Sequence, residues 1–365
     1  MVDFPAGNTQ PTPVIFPFTA TGLTSSIDIL PNQWGMIGDS GMYEELGHDS
    51  TLVEIKYRDG FIELLGSAER GSMPTADVGD EEQDKIFKIP HFPSMDLITP
   101  KDLENRFAFV RGDNNQPRRR TLEDEMTRRL EKIKLKHDLL REYLRMGGIK
   151  GDIIDGKGKR LYNLFTAFDV TQQVFNFNFY DDTFAVREFT YEIARYVELN
   201  LHGEMSDGGI EILVSPEFFS ALTSHANVKS FFLQNPTASG FQGDLRKGFK
   251  FGAATFIEYN AQVPTTPLGQ PLQQQTQGME GMTRFIEAGV GYGYPNGTRE
   301  SFRIYNAPPY VVNLIYREGT PIFVSPKILD HGKGVELFSE SNPLAICRRP
   351  NILFKVVAVT EDPGP

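Results

Sequence analysis

The longest periodic pattern in the chain lies between Thr121 and Met146. Leu122, Met126, Leu130, Ile133, His137, Leu140 and Leu144 recur at spacings of three and four residues, which places them on one face of a helix. A second stripe, Leu135, Leu139, Tyr143 and Met146, lies beside the first. Thr121 followed three residues later by Asp124 has the form of a capping box, and acidic residues fill the first turn. Gly147-Gly148 predicts the stop. A helix over 121–146 spans about 39 Å at ~1.5 Å per residue. That is long for a globular core, and a wide apolar face with a charged back reads as a structural beam.

Elsewhere the patterns are shorter and mostly of strand type. The first fifty residues carry Pro and Gly at many positions with little periodicity and read as an extended arm, ordered by contact with something else. VEIKY and FIELL flank Arg58-Asp59-Gly60, then Gly66–Asp84 is polar and glycine-rich before order resumes at KIFKIPHF. A two-stranded excursion with a soft polar tip is the simplest reading. GDIIDGKGKRLYNLFTAFDV reads as a hairpin turning at Asp155-Gly156-Lys157-Gly158. Ala185–Asn200 is a second helix, with Val186, Phe189, Ile193 and Val197 on one side. IEILV from Ile210 gives a buried strand, then Ser215-Pro216 opens a short helix. FGAATFIEYN and MTRFIEAGV are β segments around a Gln/Pro/Gly-rich loop, and the chain from Ser301 onward is strand-rich. No internal repeat is present in the sequence.

Composition adds three constraints. At 365 residues the length suggests about two domains. The 34 Gly and 24 Pro imply many turns, and 28 Phe with 13 Tyr against one Trp favour β-rich packing and broad contact surfaces. The start has no basic region followed by an apolar one, no apolar run approaches the ~20 residues that span a bilayer, and a single cysteine fits a reducing compartment. The sequon Asn296-Gly297-Thr298 is then better read as a turn. Net charge is −11, which argues against a general nucleic-acid binder. The charge is uneven: residues 117–150 carry eleven basic and six acidic side chains, a local +5 that leaves −16 for the remainder. Opposite signs in different parts of one chain suit packing against copies of itself.

Candidate chemistry is soon exhausted. Cys347 lacks an arginine six residues on, where Leu353 stands, and only His331 lies near it in sequence as a base. A buried free cysteine on a strand is the common fate of the residue, with Arg348 and Arg349 turned to solvent or a partner. His331-Gly332-Lys333-Gly334 is followed by a strand pattern rather than the helix of a phosphate loop. GVGYGYPNG has glycines at alternate positions, then Pro295 and a second strand, where a dinucleotide site needs a helix. The acidic run Asp77, Asp80, Glu81, Glu82 and Asp84 lacks calcium-loop order, and the six histidines never stand at metal-ligand spacing. Catalytic, cofactor-binding and metal-binding residues are therefore expected to be none, and no cofactor is expected.

Five long stretches, in order, carry a resemblance. They are GMYEELGHDSTLVEIKYRDGFIELLGSAERG, IPHFPSMDLITPKDLENRFAF, LREYLRMGGIKGDIIDGKG, SPEFFSALTSHANVK and HGKGVELFSESNPLAICRRPNILFKV. Together they resemble the major capsid protein E family of tailed phages, lambda-like head proteins with the Hong Kong 97-type capsid fold, over roughly Leu23–Val356. The resemblance implies an α+β fold with an N-terminal arm at 1–49, an extended loop at 50–92 and a peripheral domain at 93–200 around a spine helix at 121–146. It further implies an axial domain at 201–330 and C-terminal strands at 331–365 returning to the peripheral and axial sheets.

The function implied is a non-enzymatic shell protein that self-assembles into hexamers and pentamers of an icosahedral head enclosing double-stranded DNA, without sequence-specific binding. Portal, scaffold and a decoration or cement protein are the other implied partners, with no membrane. The place implied is the virion, after assembly in the host cytoplasm. Arg70, Arg118, Arg119, Arg120, Arg128, Arg129 and Lys132 are the candidate inter-subunit contacts. The alternatives are an encapsulin-like compartment and, more distantly, a cytosolic cysteine hydrolase built on Cys347.

Overall fold

The computed structural model describes residues 35–58, 82–104, 107–108, 118–119, 121–201, 204, 206–234, 244–264 and 282–361. These residues form two compact units. One contains 92–134 and 322–341, and the other 35–91, 135–321 and 342–361. No helix among the described residues is long and apolar enough to cross a membrane.

The first unit is a sheet on a helix. Phe323–Ile328, Val335–Ser341 and Phe92–Ile98 form a three-stranded antiparallel sheet with Val335–Ser341 in the centre. Side chains alternate between the faces of a strand. Ile98, Val324, Val335 and Leu337 consequently share one face, and they meet Met126, Leu130 and Ile133 of the helix, with Ile322, in one buried cluster. Full burial of each such side chain contributes about 1.5–3 kcal/mol, so this seam holds the unit together.

The helix itself is longer than the sequence pattern predicts, running Leu122–Lys150. Its start is as expected. The Thr121 backbone N–H and hydroxyl donate to Asp124 Oδ2, at 2.9 Å each, and the Asp124 N–H donates back to Thr121 Oγ1 at 3.3 Å. Its predicted end is a correction. Gly147 and Gly148 are helical and buried, and the chain turns only at Gly151, where φ is +73°. The reason is close approach. A Cβ at Gly148 would lie 2.5 Å from Tyr43 Oη and 3.1 Å from the Ala345 carbonyl oxygen, and one at Gly147 would lie 3.2 Å from the Asp152 carbonyl oxygen. The glycines admit neighbouring backbone; they do not end the helix.

The second unit is built on a mixed six-stranded sheet in the order Phe249–Phe251, Ala254–Glu258, Gly209–Val214, Val290–Asn296, Phe354–Val359, Gln173–Asn178. Many of the described phenylalanines are buried in its core. Phe189 of the helix Val186–Asn200 and Phe218 of the helix Pro216–Ser224 meet Phe177 at ring distances of 4.9 and 5.4 Å, edge to face. Such pairs add about 0.5–1.5 kcal/mol beyond their burial. Ser215 caps the second of these helices, its Oγ accepting from the Phe218 N–H, with Pro216 in the first turn. The glycine-rich GVGYGYPN is the strand Val290–Asn296. A Cβ at Gly291 would meet Val214 and Val356 within 3 Å, and one at Gly293 would meet the Phe354 ring, so the alternate glycines make room on one face. Asn296-Gly297 is a turn, with φ +78° at Gly297.

Two smaller pieces complete this unit. Glu44–Gly47, Phe302–Asn306 and Pro343–Cys347 form a three-stranded sheet, the first pair parallel. The end of the arm is thus ordered by its own chain: Met36–Asp39 is helical and Glu44–Gly47 is a strand. The excursion appears as the antiparallel pair Leu52–Arg58 and Glu82–Lys88. Its Val53, Ile55 and Phe87 are buried, and Phe87 packs on the rings of Tyr162 and Phe168. The hairpin at Asp155–Gly158 is present, between Asp152–Ile154 and Arg160–Asn163.

Gly148→Ala is expected to lower stability by about 1–3 kcal/mol through overpacking, although alanine is the better helix former. Urea denaturation of the soluble subunit reads the change, and adding Tyr43→Phe should recover part of it by removing the oxygen that the new methyl meets.

Candidate assembly surfaces and buried ion clusters

Cys347 ends the strand Pro343–Cys347, opposite Phe302, and is completely buried. Its Sγ donates to the Arg349 carbonyl oxygen at 3.3 Å, and burial pushes the thiol up to about 12. A group held so firmly protonated and shut away from solvent is not a nucleophile. His331 lies in an exposed turn at Asp330–Gly332, with φ +60°. Arg348 and Arg349, expected to turn to solvent or a partner, are instead engaged within the chain. Arg349 Nη1 donates to the Leu201 carbonyl oxygen at 2.5 Å and lies 3.5 Å from Glu204 Oε2, while Arg348 lies 3.7 Å from Glu300. Glu204 also accepts from Ser301 Oγ at 2.6 Å and from the Glu300 N–H at 2.8 Å. Among the described residues no three His, Cys, Asp or Glu side chains converge at metal-binding spacing.

The basic stripe of the long helix divides into two buried networks. Near its start Glu125 is fully buried and accepts from Arg128 and Arg129. Arg129 reaches on to Asp96 at 2.8 Å and Asp102 at 3.5 Å, so one guanidinium ties helix, strand and connecting turn. The Arg128 side chain is 50% exposed, and Lys132 is exposed.

The other network has no counterpart in the sequence reading. Arg141, Glu142 and Arg145 are buried on a stretch of helix that is covered on nearly every side. Arg141 Nη2 and Arg145 Nη2 both donate to Glu45 Oε1, at 2.5 and 2.8 Å, and Arg141 also donates to Asn306 Oδ1 and the Pro321 carbonyl oxygen. Glu142 Oε1 accepts from the Ile37 N–H and the Tyr259 hydroxyl, each at 2.9 Å, and its Oε2 accepts from the Gly38 N–H at 3.0 Å. Burial pushes the Glu45 carboxyl up, yet Arg141 and Arg145 together hold it below its ordinary value. Burial pushes the Tyr259 hydroxyl far up, and the neighbouring Glu142 carboxylate adds to this. The network fastens the segment from Ile37 to Glu45 to the helix. The only sequence signal was three charged residues where the apolar stripes broaden to cover most of the helix.

Of the candidate contact residues, Arg128 and Lys132 are on the surface and Arg129 is engaged within its own chain. Arg118–Arg119 pair as a short strand with Phe107–Ala108. Arg70 and Arg120 lie outside the described residues, as do Asp77, Asp80 and Glu81 of the acidic run and 265–281 of the Gln-rich loop.

A long helix carrying a three-stranded sheet, a two-stranded excursion before it and a mixed α+β unit after it make up a capsid subunit of the Hong Kong 97 type. A prophage protein of E. coli CFT073 assigned a capsid role shares the fold with TM-score 0.58 over 94% of this chain and 99% of that one, at 10% identity. The mature capsid of bacteriophage PhiM1 matches with TM-score 0.50 at 15% identity, over 90% and 88%. The chain belongs to the family described as phage major capsid protein E, which matches residues 19–358. It is 23% identical over 364 residues to the major capsid protein of Salmonella phage Felix O1, covering 93% of this chain and 96% of that protein. To the major capsid protein of Pseudomonas phage KPP10 it is 25% identical over 361 residues, with the same coverages. It is a structural protein of a phage head shell.

Two expectations follow from the buried charges. Arg141→Ala leaves Glu45 with Arg145 alone and takes the donor from Asn306 Oδ1 and the Pro321 carbonyl oxygen, and should cost about 1–3 kcal/mol in urea denaturation, whereas Arg128→Ala should cost about 0–1 kcal/mol. His137 is buried, and burial, then Arg141 and Lys136, depress it from 6.5 to about 4. The folded chain therefore prefers the neutral imidazole, and its contribution is fully present above pH 6.5 and is lost as pH falls towards 4. His137→Gln should flatten the stability–pH curve of the subunit in that window, where wild type loses at most about 3 kcal/mol from this group.

Proposed function

We propose that this chain closes into hexameric and pentameric capsomers of an icosahedral head that encloses double-stranded DNA, and that it works without turnover chemistry. The observation that carries the reading is the two-stranded excursion. Leu52 and Ile86 are exposed on the face opposite the packed Val53, Ile55 and Phe87. An isolated pair of strands is marginal on its own, so apolar residues on its free face call for cover from another chain. On this reading the arm at 1–49, apart from its end from Ile37 to Gly47 that is held by its own chain, and the excursion at 50–92 reach neighbouring subunits, 93–200 form the peripheral domain, 201–330 the axial domain, and 331–365 return to their sheets. Repeated heterologous contacts of this kind close into rings.

Charge supports the same picture. A remainder of −16 outside residues 117–150 repels packaged DNA from the wall. Arg70, Arg118, Arg119, Arg120, Arg128 and Lys132 pair with acids of adjacent chains; Arg129 contributes by holding the helix in place. Assembly takes place in the host cytoplasm with scaffold and portal, and a decoration protein joins the finished head. An encapsulin-like compartment is the weaker reading, because the family and both curated relatives are of phages.

Electron microscopy of the purified full chain should show closed icosahedral shells; only small particles under every condition, with scaffold and portal supplied, would overturn the reading. Arg128→Ala with Lys132→Glu should weaken assembly and change its salt dependence while leaving the subunit folded. Unchanged assembly in that variant removes these two side chains from the interface.

A further inference from the structure

The connection from Asn306 to Pro321 in the second unit presents its apolar side chains outward. Tyr310, Val312 and Tyr316 are 84%, 86% and 87% exposed, and Ile315 is also exposed. They stand within seven residues of one another, and no other described segment collects so many. Scattered single apolar residues on a surface need no explanation, but a cluster of this kind does.

The loop is also held rigidly. At its entry Pro308 and Pro309 are buried, and the Asn342 side-chain amide donates to the Pro308 carbonyl oxygen at 3.0 Å. Along it, the N–H groups of Val311, Leu314 and Arg317 donate to the carbonyl oxygens of Pro309, Val311 and Leu314, at 2.8 to 3.0 Å. At its exit the Gly319 N–H donates to the His48 carbonyl oxygen at 3.0 Å, and a Cβ at Gly319 would lie 2.0 Å from the Asn306 carbonyl oxygen. The Tyr310 ring leans on His91, which is itself bonded to Asn342 at 2.9 Å. Val311 and Leu314 turn partly inward, while Asn313, Arg317 and Glu318 are exposed around the apolar tip. A preorganised loop with apolar anchors and a polar rim has the form of a contact surface that loses little entropy on binding.

We infer that this loop is an anchor by which one copy of the chain grips a second copy in the shell, an inference that rests on the capsid reading above. The size of the patch selects that occupant. A buried aromatic contributes ~150–250 Å², so two tyrosines with Val312 and Ile315 supply on the order of 500 Å², short of the ~800 Å² per partner of a stable independent complex. The loop cannot hold a free soluble partner alone. It suits a neighbour already placed by other contacts, where a few large side chains supply most of the added affinity.

The test uses the full chain, with Val312→Ser and Tyr316→Ser combined. These side chains point away from the subunit, so its urea denaturation midpoint should stay at the wild-type value while the concentration needed for shells rises about tenfold or more. In parallel, a photo-crosslinking phenylalanine analogue replaces Tyr316 in assembled shells. Covalent dimers of this chain support the inference. Shells forming at the wild-type concentration, or crosslinks only to a different phage protein, overturn it. A wild-type chain that forms no shells even with scaffold and portal supplied overturns the capsomer reading on which it rests.

Discussion

A charged helix can pass through the interior of a protein only if each ion meets a partner there, because a buried ion left alone costs several kcal/mol. That constraint organises the second unit of this subunit. Arg141, Glu142 and Arg145 are carried inward by the same helical turns that bury Leu144 and Met146. Their partners come from far away in sequence: Glu45, the N–H groups of Ile37 and Gly38, Tyr259 and Asn306. The network therefore makes folding of the helix and docking of the segment before the excursion one event. Neither can be satisfied without the other.

The glycines act in the same direction. Gly147 and Gly148 each disfavour a helix by about 1 kcal/mol relative to alanine, and the helix accepts that cost. In return the backbone comes close enough for the Tyr43 hydroxyl to donate to the Arg145 carbonyl oxygen at 2.7 Å, and for the strand containing Ala345 to lie against Gly148. Gly291 and Gly293 do likewise in the central sheet. Cys347, which looks like chemistry in the sequence, belongs to this close-packed layer.

A shell subunit has to keep two kinds of apolar surface apart. Among the described residues, Phe175, Phe177, Phe184, Phe189, Phe218, Phe256 and Phe354 gather in one mostly edge-to-face core. A smaller set, Leu52, Ile86, Tyr310, Val312 and Tyr316, stays outside. The first set gives each subunit its own stability; on the proposed reading the second is of use when subunits meet. The charges are divided less sharply: Arg129 is engaged with Glu125, Asp96 and Asp102, while Arg128, which shares Glu125 with it, keeps half of its side chain in solvent.

Local signals were legible in the sequence wherever the physics is local. The 3.6-residue stripe of Leu122 to Leu144, the box of Thr121 and Asp124, the Ser215-Pro216 start and the Asp155–Gly158 turn all depend on neighbours within a few residues, and each is present. The family was legible too, because long ordered stretches record a whole fold. What the sequence could not show is which charges are internal and which glycines serve close approach rather than helix termination. Arg128 and Arg141 look alike in sequence, and Gly148 looks like a stop. Their roles are set by Glu45, Tyr43 and Ala345, residues brought to them only when the chain closes on itself.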